Sequence, residues 1–192
     1  MRKTISMILS CVLLLFSLSG CHNSDKNHTF DTLGITFDGG KTLNMEMDQE
    51  AVRKVMGKEP TETKEEYGEI SDYWDLDYWL CVDYKAESPY KVTHIFVGLK
   101  DLDFETSLGI SKGDSVASMK EKLGDLYSQS DSDDNISYFY AFRYADGQYE
   151  MVDPNKSIGE LTGGSEDIGL YGVSFTSEND TVIACSLSDA MS

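Results

Sequence analysis

Asp48-Gln-Glu-Ala-Val-Arg-Lys-Val-Met-Gly57 spells out a short helix from cap to stop. Asp48 can accept the free amides of a first turn, and Glu50 suits the positive end of the helix dipole. Val52, Val55 and Met56 recur at helical spacing. Gly57 suits the left-handed residue that closes a helix, and Pro60 prevents continuation. A second stretch is built alike. Ser111 and Asp114 stand at capping-box spacing, Val116, Met119 and Leu123 make one apolar stripe, and Gly124 ends it. Val52-Arg-Lys-Val-Met-Gly57 and Met119-Lys-Glu-Lys-Leu-Gly124 thus match in pattern, 67 residues apart.

Each helix precedes strand-like sequence. Trp79 to Tyr84 and Val92 to Val97 are rich in aromatic and β-branched residues, with a turn over Ala86 to Tyr90. Ile136 to Tyr144 reads as an aromatic strand, Asp146-Gly147 as a turn and Gln148 to Val152 as its partner. Tyr171 to Thr176 and Thr181 to Leu187 form a last hairpin around Asn179-Asp180. Residues 155–169, rich in Gly and Ser, read as a surface loop. Short turns between neighbouring strands imply antiparallel sheet, and helices on one face of such a sheet give an α+β architecture. The expected fold is a tandem repeat of a short helical segment packed on antiparallel sheet, with units over 29–101 and 102–192.

Gly109-Ile-Ser-Lys-Gly-Asp-Ser115, the helix end Leu123-Gly124, and Gly172-Val-Ser-Phe175 with Val182 to Leu187 resemble a unit found in secreted lipoproteins of Gram-positive bacteria. Met56-Gly-Lys-Glu-Pro60 and Val92 to Val97 are similar in the first half. Among named architectures the chain looks like the tandem fold of β-lactamase inhibitory protein and the small lipoprotein of the β-barrel assembly machinery. It departs from the inhibitor family in lacking cysteine pairs within each repeat. It also lacks a segment matching the inhibitor's contact residues. The resemblance therefore implies a fold and a binding role, not a target.

The beginning of the chain reads as an export signal. Arg2 and Lys3 precede an apolar run from Ile5 to Phe16, too short for a comfortable membrane span. Leu18-Ser19-Gly20-Cys21 then looks like a lipobox, in which the thiol of Cys21 takes a diacylglycerol. Residues 1–20 are expected to be a lipoprotein signal peptide and 21–28 a flexible tether. The mature protein would then be held by its acyl chains on the extracytoplasmic face of the cell membrane. His22 and His28 fall on or beside that tether and read as solvated residues.

With 34 acidic against 16 basic residues, the formal charge is −18, and loss of Arg2 and Lys3 makes the mature chain more negative still. Such a charge opposes nucleic acid and anionic lipid, and favours a basic protein partner. A hydrophobic content of 40% is too high for a disordered chain. Cys81 and Cys185 remain after export, each in an expected strand. Two free, packed thiols are the preferred reading over a disulfide.

No catalytic constellation stands out. His94 alternates with Val92 and Phe96 on a strand and reads as a packed or edge histidine, although a Cys-His pair with Cys81 or Cys185 is conceivable. There is no zinc-ligand spacing and no phosphate-binding glycine loop. Asp131-Ser-Asp-Asp-Asn135 fails the EF-hand pattern, because Ile136 and Phe142 fall where Gly and Glu are required. No metal or cofactor is expected, and no enzyme activity.

The most suggestive region is Glu62 to Trp79. Glu62, Glu65, Glu66, Glu69, Asp72, Asp75 and Asp77 stand against one base, Lys64, and Tyr73, Trp74, Tyr78 and Trp79 are interleaved with them. Aromatic anchors ringed by charge are what interfaces use, although rings also fill cores. These four residues are the expected partner-binding site, with Trp74 and Tyr78 the pair expected to face outward. The expected function is a lipid-anchored, non-catalytic binding module for an extracytoplasmic protein. The alternatives are an inhibitor or immunity-like factor against a secreted enzyme, and a cell-wall hydrolase.

Overall fold

Glu62–Glu66 and Glu69–Tyr73, read above as part of an interface, are two paired strands of a ten-stranded antiparallel sheet. The computed structural model describes residues 28–74, 80–98, 102–132, 134–165 and 168–190. In chain order the elements are β1 (Thr29–Phe30), β2 (Gly34–Phe37), β3 (Lys41–Asn44), α1 (Gln49–Met56), β4 (Glu62–Glu66), β5 (Glu69–Tyr73), β6 (Leu80–Lys85) and β7 (Val92–Val97). They continue with β8 (Phe104–Thr106), α2 (Val116–Leu123), β9 (Ser128–Ser132), β10 (Asn135–Ala145), β11 (Gln148–Val152), α3 (Ile158–Thr162), β12 (Gly169–Glu178) and β13 (Thr181–Asp189).

The large sheet runs β1-β11-β10-β12-β13-β7-β6-β5-β4, with β9 paired to the start of β10. A small sheet runs β3-β2-β8. Strands occupy 52% of the described residues and helices 14%. The expected α+β fold, a tandem helical repeat on antiparallel sheet, is therefore overturned by a β-rich one. The physical reason is that α1 and α2 are only eight residues each, about two turns. Meanwhile β4 and β9 carry no apolar residue, yet both pair into the sheet through their backbones.

Both longer helices are clamped by backbone. Asp48 caps α1, its Oδ1 accepting the Ala51 amide at 2.9 Å, and Gly57 closes it at φ 67°. The Gln49 amide donates to the Tyr90 carbonyl at 3.2 Å, and the Val92 amide to the Met47 carbonyl at 3.1 Å. At α2 the Val116 amide donates to Asp180 and the Val182 amide to Asp114, each at 2.9 Å. Helix and final strand of each segment thus start from a shared junction. Ser111 is not the cap of α2. Its amide donates to Asp114 Oδ2 at 3.1 Å in a preceding turn, and Ser115 Oγ caps the helix by accepting the Ser118 amide. Residues 155–169, expected as a loop, contain the short helix α3 capped by a Ser157/Glu160 capping box.

One cluster of buried side chains joins the sheet to α1, α2 and the small sheet. It includes Val82, Tyr84, Ile95, Val97, Tyr140, Phe175 and Leu187 from the large sheet, Val52 and Met56 from α1, and Met119 and Leu123 from α2. Cys185 belongs to this inner face, opposite Val97, whereas Cys81 lies opposite Phe96 on the outer face. Two strand spacings, about 10 Å, and a sheet thickness separate the thiols, beyond disulfide reach. Both are free.

A buried ion pair ties α1 to the sheet. Asp72, fully buried on β5, accepts Arg53 Nε at 2.9 Å, Arg53 Nη2 at 3.0 Å, Gln49 Nε2 at 3.3 Å and Thr63 Oγ1 at 2.6 Å. Every lone-pair direction of the carboxylate is used, which is what makes a buried charge tolerable. Arg53→Met should cost about 3–5 kcal/mol in urea unfolding, because it strands the carboxylate. Adding Asp72→Asn should recover part of that loss, since a neutral amide is cheaper to bury. A double variant less stable than Arg53→Met alone would contradict this reading of the pair.

Candidate functional site

Alternation along β5 sends Tyr73 and Trp74 to opposite sides of the sheet. Tyr73 is half-buried on the outer face, with the Lys64 ammonium 5.0 Å from its ring centroid. Trp74 is 4% exposed and part of the core, and its Nε1 donates to the Lys58 carbonyl at 3.3 Å. The expectation that Trp74 faces a partner is corrected: the ring is a core anchor with its one polar atom satisfied inside the fold. Tyr78 and Trp79 lie outside the described residues, as does Cys21. Of the acidic run, Asp72 points inward while Glu62, Glu65, Glu66 and Glu69 are exposed.

Among the described residues, the most exposed large apolar side chain lies outside the four expected site residues. Tyr67 is 102% exposed, at the tip of the β4–β5 hairpin. Tyr67 and Gly68 form its two-residue turn, at φ 55° and 84°. That geometry normally draws Asn-Gly or Asp-Gly, and a tyrosine in the left-handed region is uncommon. Beside it, the Ala86 amide donates to the Gly68 carbonyl at 3.0 Å and brings the loop after β6 alongside. That loop carries Glu87 and Tyr90, the latter 40% exposed and at φ 57°. One end of the sheet therefore presents two tyrosines among Glu65, Glu66, Glu69 and Glu87, with exposed Lys85 opposite Glu69 and Lys91 next to Tyr90. Gly68, after the polar run Glu62 to Glu66, is the available signal for the hairpin, and nothing in that run marks Tyr67 as its tip.

A polar network occupies the outer face near β6. Asp83 Oδ2 lies 3.0 Å from His94 Nδ1, and Asp83 Oδ1 accepts the Cys81 thiol at 3.3 Å. Burial pushes the Asp83 carboxyl up, but hydrogen bonds from His94, Ser71 and Cys81 outweigh it and hold the group below the usual range. Burial first, and then the Asp83 charge, push the Cys81 thiol up to about 12. The thiol donates to a carboxylate instead of being deprotonated by a histidine, so this trio is not an activated nucleophile. Burial alone raises Cys185 on the inner face. Among the described residues no three His, Cys, Asp or Glu side chains are grouped to hold a metal ion.

Among the described residues no helix is long and apolar enough to cross a membrane. No family model, curated protein or solved structure matches the chain.

The thiol environment has a direct readout. A rise from the ordinary 9.0 to about 12 lowers the thiolate fraction at pH 8 about a thousand-fold. Iodoacetamide should therefore label Cys81 in the native protein about a thousand-fold more slowly than after denaturation, with the native rate climbing as pH rises toward 12. Mass spectrometry of the Cys81 peptide measures this, and rapid native labelling at pH 8 would show a reactive thiolate.

Proposed function

We propose that this chain is a lipid-anchored extracytoplasmic binding module, without catalysis of its own, whose partner is a protein with a basic surface. The partner docks on the sheet end that carries Tyr67 and Tyr90. Full exposure of Tyr67 in a left-handed turn is the observation that carries this reading. A tyrosine gains no packing there, and its backbone conformation is costly for a side chain with a Cβ. Rigid, amphipathic tyrosines are the side chains that anchor protein interfaces. The surrounding glutamates supply long-range attraction to a basic surface, which speeds encounter and weakens with salt.

The leader over 1–20 and the lipobox at Cys21 support the location. Acyl chains would hold the domain at the membrane surface, with residues 21–28 as a short tether. A surface so placed meets partners in the same envelope, and the Tyr67 hairpin stands at the sheet edge, held on one side by β6.

A photo-crosslinking amino acid placed at position 67 in cells producing the full chain tests the docking site, with position 158 on α3 as an exposed control. Position 67 should give a discrete protein adduct that is absent from position 158 and fades as salt is raised. In the same cells Cys21→Ser should lose its membrane association. The docking reading fails if both positions give the same adducts or none, and the anchor reading fails if the Cys21→Ser protein stays in the membrane fraction.

A further inference from the structure

The outer face of the large sheet is ordered in rows that cross the strands. One row reads Glu62, Tyr73, Cys81, Phe96, Ser186, Ser174, Phe139 and Ser128 through consecutive strand pairs. The next reads Lys64, Ser71, Asp83, His94, Ser188, Gly172, Ala141 and Val152. Across β7, β13, β12 and the facing part of β10, these rows hold no Asp, Glu, Lys or Arg. That is unexpected in a chain with 34 acidic residues, whose exposed positions elsewhere are crowded with carboxylates.

The aromatic rings on this stretch recline. A Cβ added to Gly98 would stand 2.5 Å from two ring atoms of Phe96, and one added to Gly172 would meet the Phe139 ring and Ser188 Oγ. Both rings therefore lie over a glycine instead of standing off the sheet. Neither belongs to the core, and both stay partly open to solvent. Between them lie Ser186 and Ser174, also partly open, with Ser188 in the adjacent row.

We propose that this face binds a linear, uncharged, β-1,4-linked glycan laid across the strands, a second ligand at a surface separate from the Tyr67 end. A reclining ring buries one face and offers the other, and the C–H-rich face of a pyranose stacks on such a ring. Serine hydroxyls both donate and accept, which suits the hydroxyls of a sugar. An extended β-1,4 chain repeats at close to the strand spacing of about 5 Å, so Phe96 and Phe139, three strand spacings apart, would meet sugars about three units apart along it. Tyr73 extends the row two strands further, although Lys64 already lies over its ring. A protein interface core draws on protruding anchors and aliphatic pockets, and the stretch offers neither. An anionic bilayer or a nucleic acid would be repelled by a net charge of −18. A neutral chain meets an uncharged surface without that penalty.

Chitohexaose, added to the full folded domain in a calorimeter, and purified peptidoglycan, in a sedimentation assay, are the probes. Binding should weaken about tenfold with Phe96→Ala and with Phe139→Ala. Ser186→Arg, which leaves both rings over their glycines but fills the space between them, should abolish binding without lowering the melting temperature. Tyr67→Ala should leave glycan binding unchanged while it weakens docking of the protein partner, so the two proposals fail separately. The glycan proposal is overturned if neither probe binds, or if Ser186→Arg binds as the parent does. It is likewise overturned if binding to peptidoglycan survives enzymatic digestion of its glycan strands, which would assign the face to peptide or protein.

Discussion

Four residue pairs hold the molecule together across its middle: Cys185 opposite Val97, Ser186 opposite Phe96, Leu187 opposite Ile95 and Ser188 opposite His94. This short antiparallel seam between β13 and β7 joins the strands on either side into one sheet. Its register is decisive because side chains alternate along a strand. A slip of one residue would carry Cys185 and Leu187 out of the core and put Ser186 and Ser188 into it. The same register aligns Tyr73, Phe96 and Phe139 in one outer row, although they come from distant parts of the chain. Core and outer face are consequently two readings of a single pairing.

Around the seam, polar contacts fix what apolar burial leaves free. Both helices are too short to persist alone, since isolated helices of this length are marginal in water. Their first amides and the flanking carbonyls are instead exchanged with the starts of β7 and β13. Arg53 and Asp72 then pin α1 against β5, and Thr63 of β4 completes the carboxylate's shell. The acidic hairpin at the sheet edge is thereby tied to the core through one buried residue, while its other glutamates stay in water. Rigidity at the base and exposure at the tip are what a protruding Tyr67 needs in order to act as an anchor.

The legible parts of the sequence were those with a local physical signature. Asp48, the apolar positions of α1 and Gly57 place that helix to within a residue. The aromatic and β-branched runs place β6, β7, β10, β12 and β13, and Asp146-Gly147 its turn. Glu-Thr-Lys-Glu-Glu and Ser-Gln-Ser-Asp-Ser have no such signature, because β4 and β9 are strands only through the neighbour they pair with. Only the two capped helices and the apolar strands carry local signals, so the sequence reads as α+β where the fold is β-rich. The inward position of Trp74 is hidden in the sequence for a related reason. Without a strand at β5, no alternation was available to separate the inward Trp74 from the outward Tyr73. Tyr67 has no turn signature in the sequence, because Tyr-Gly is not a habitual turn pair, and its exposure follows only from the hairpin.

Native-state hydrogen exchange tests the central claim, that the β7–β13 seam makes one cooperative sheet. Amides of β6, β7, β12 and β13 should exchange with a common free energy, the highest in the molecule and equal to that of global unfolding. Protection of β4 to β7 lost at a distinctly lower free energy than that of β10 to β13 would mean two units that open independently, and would contradict the account.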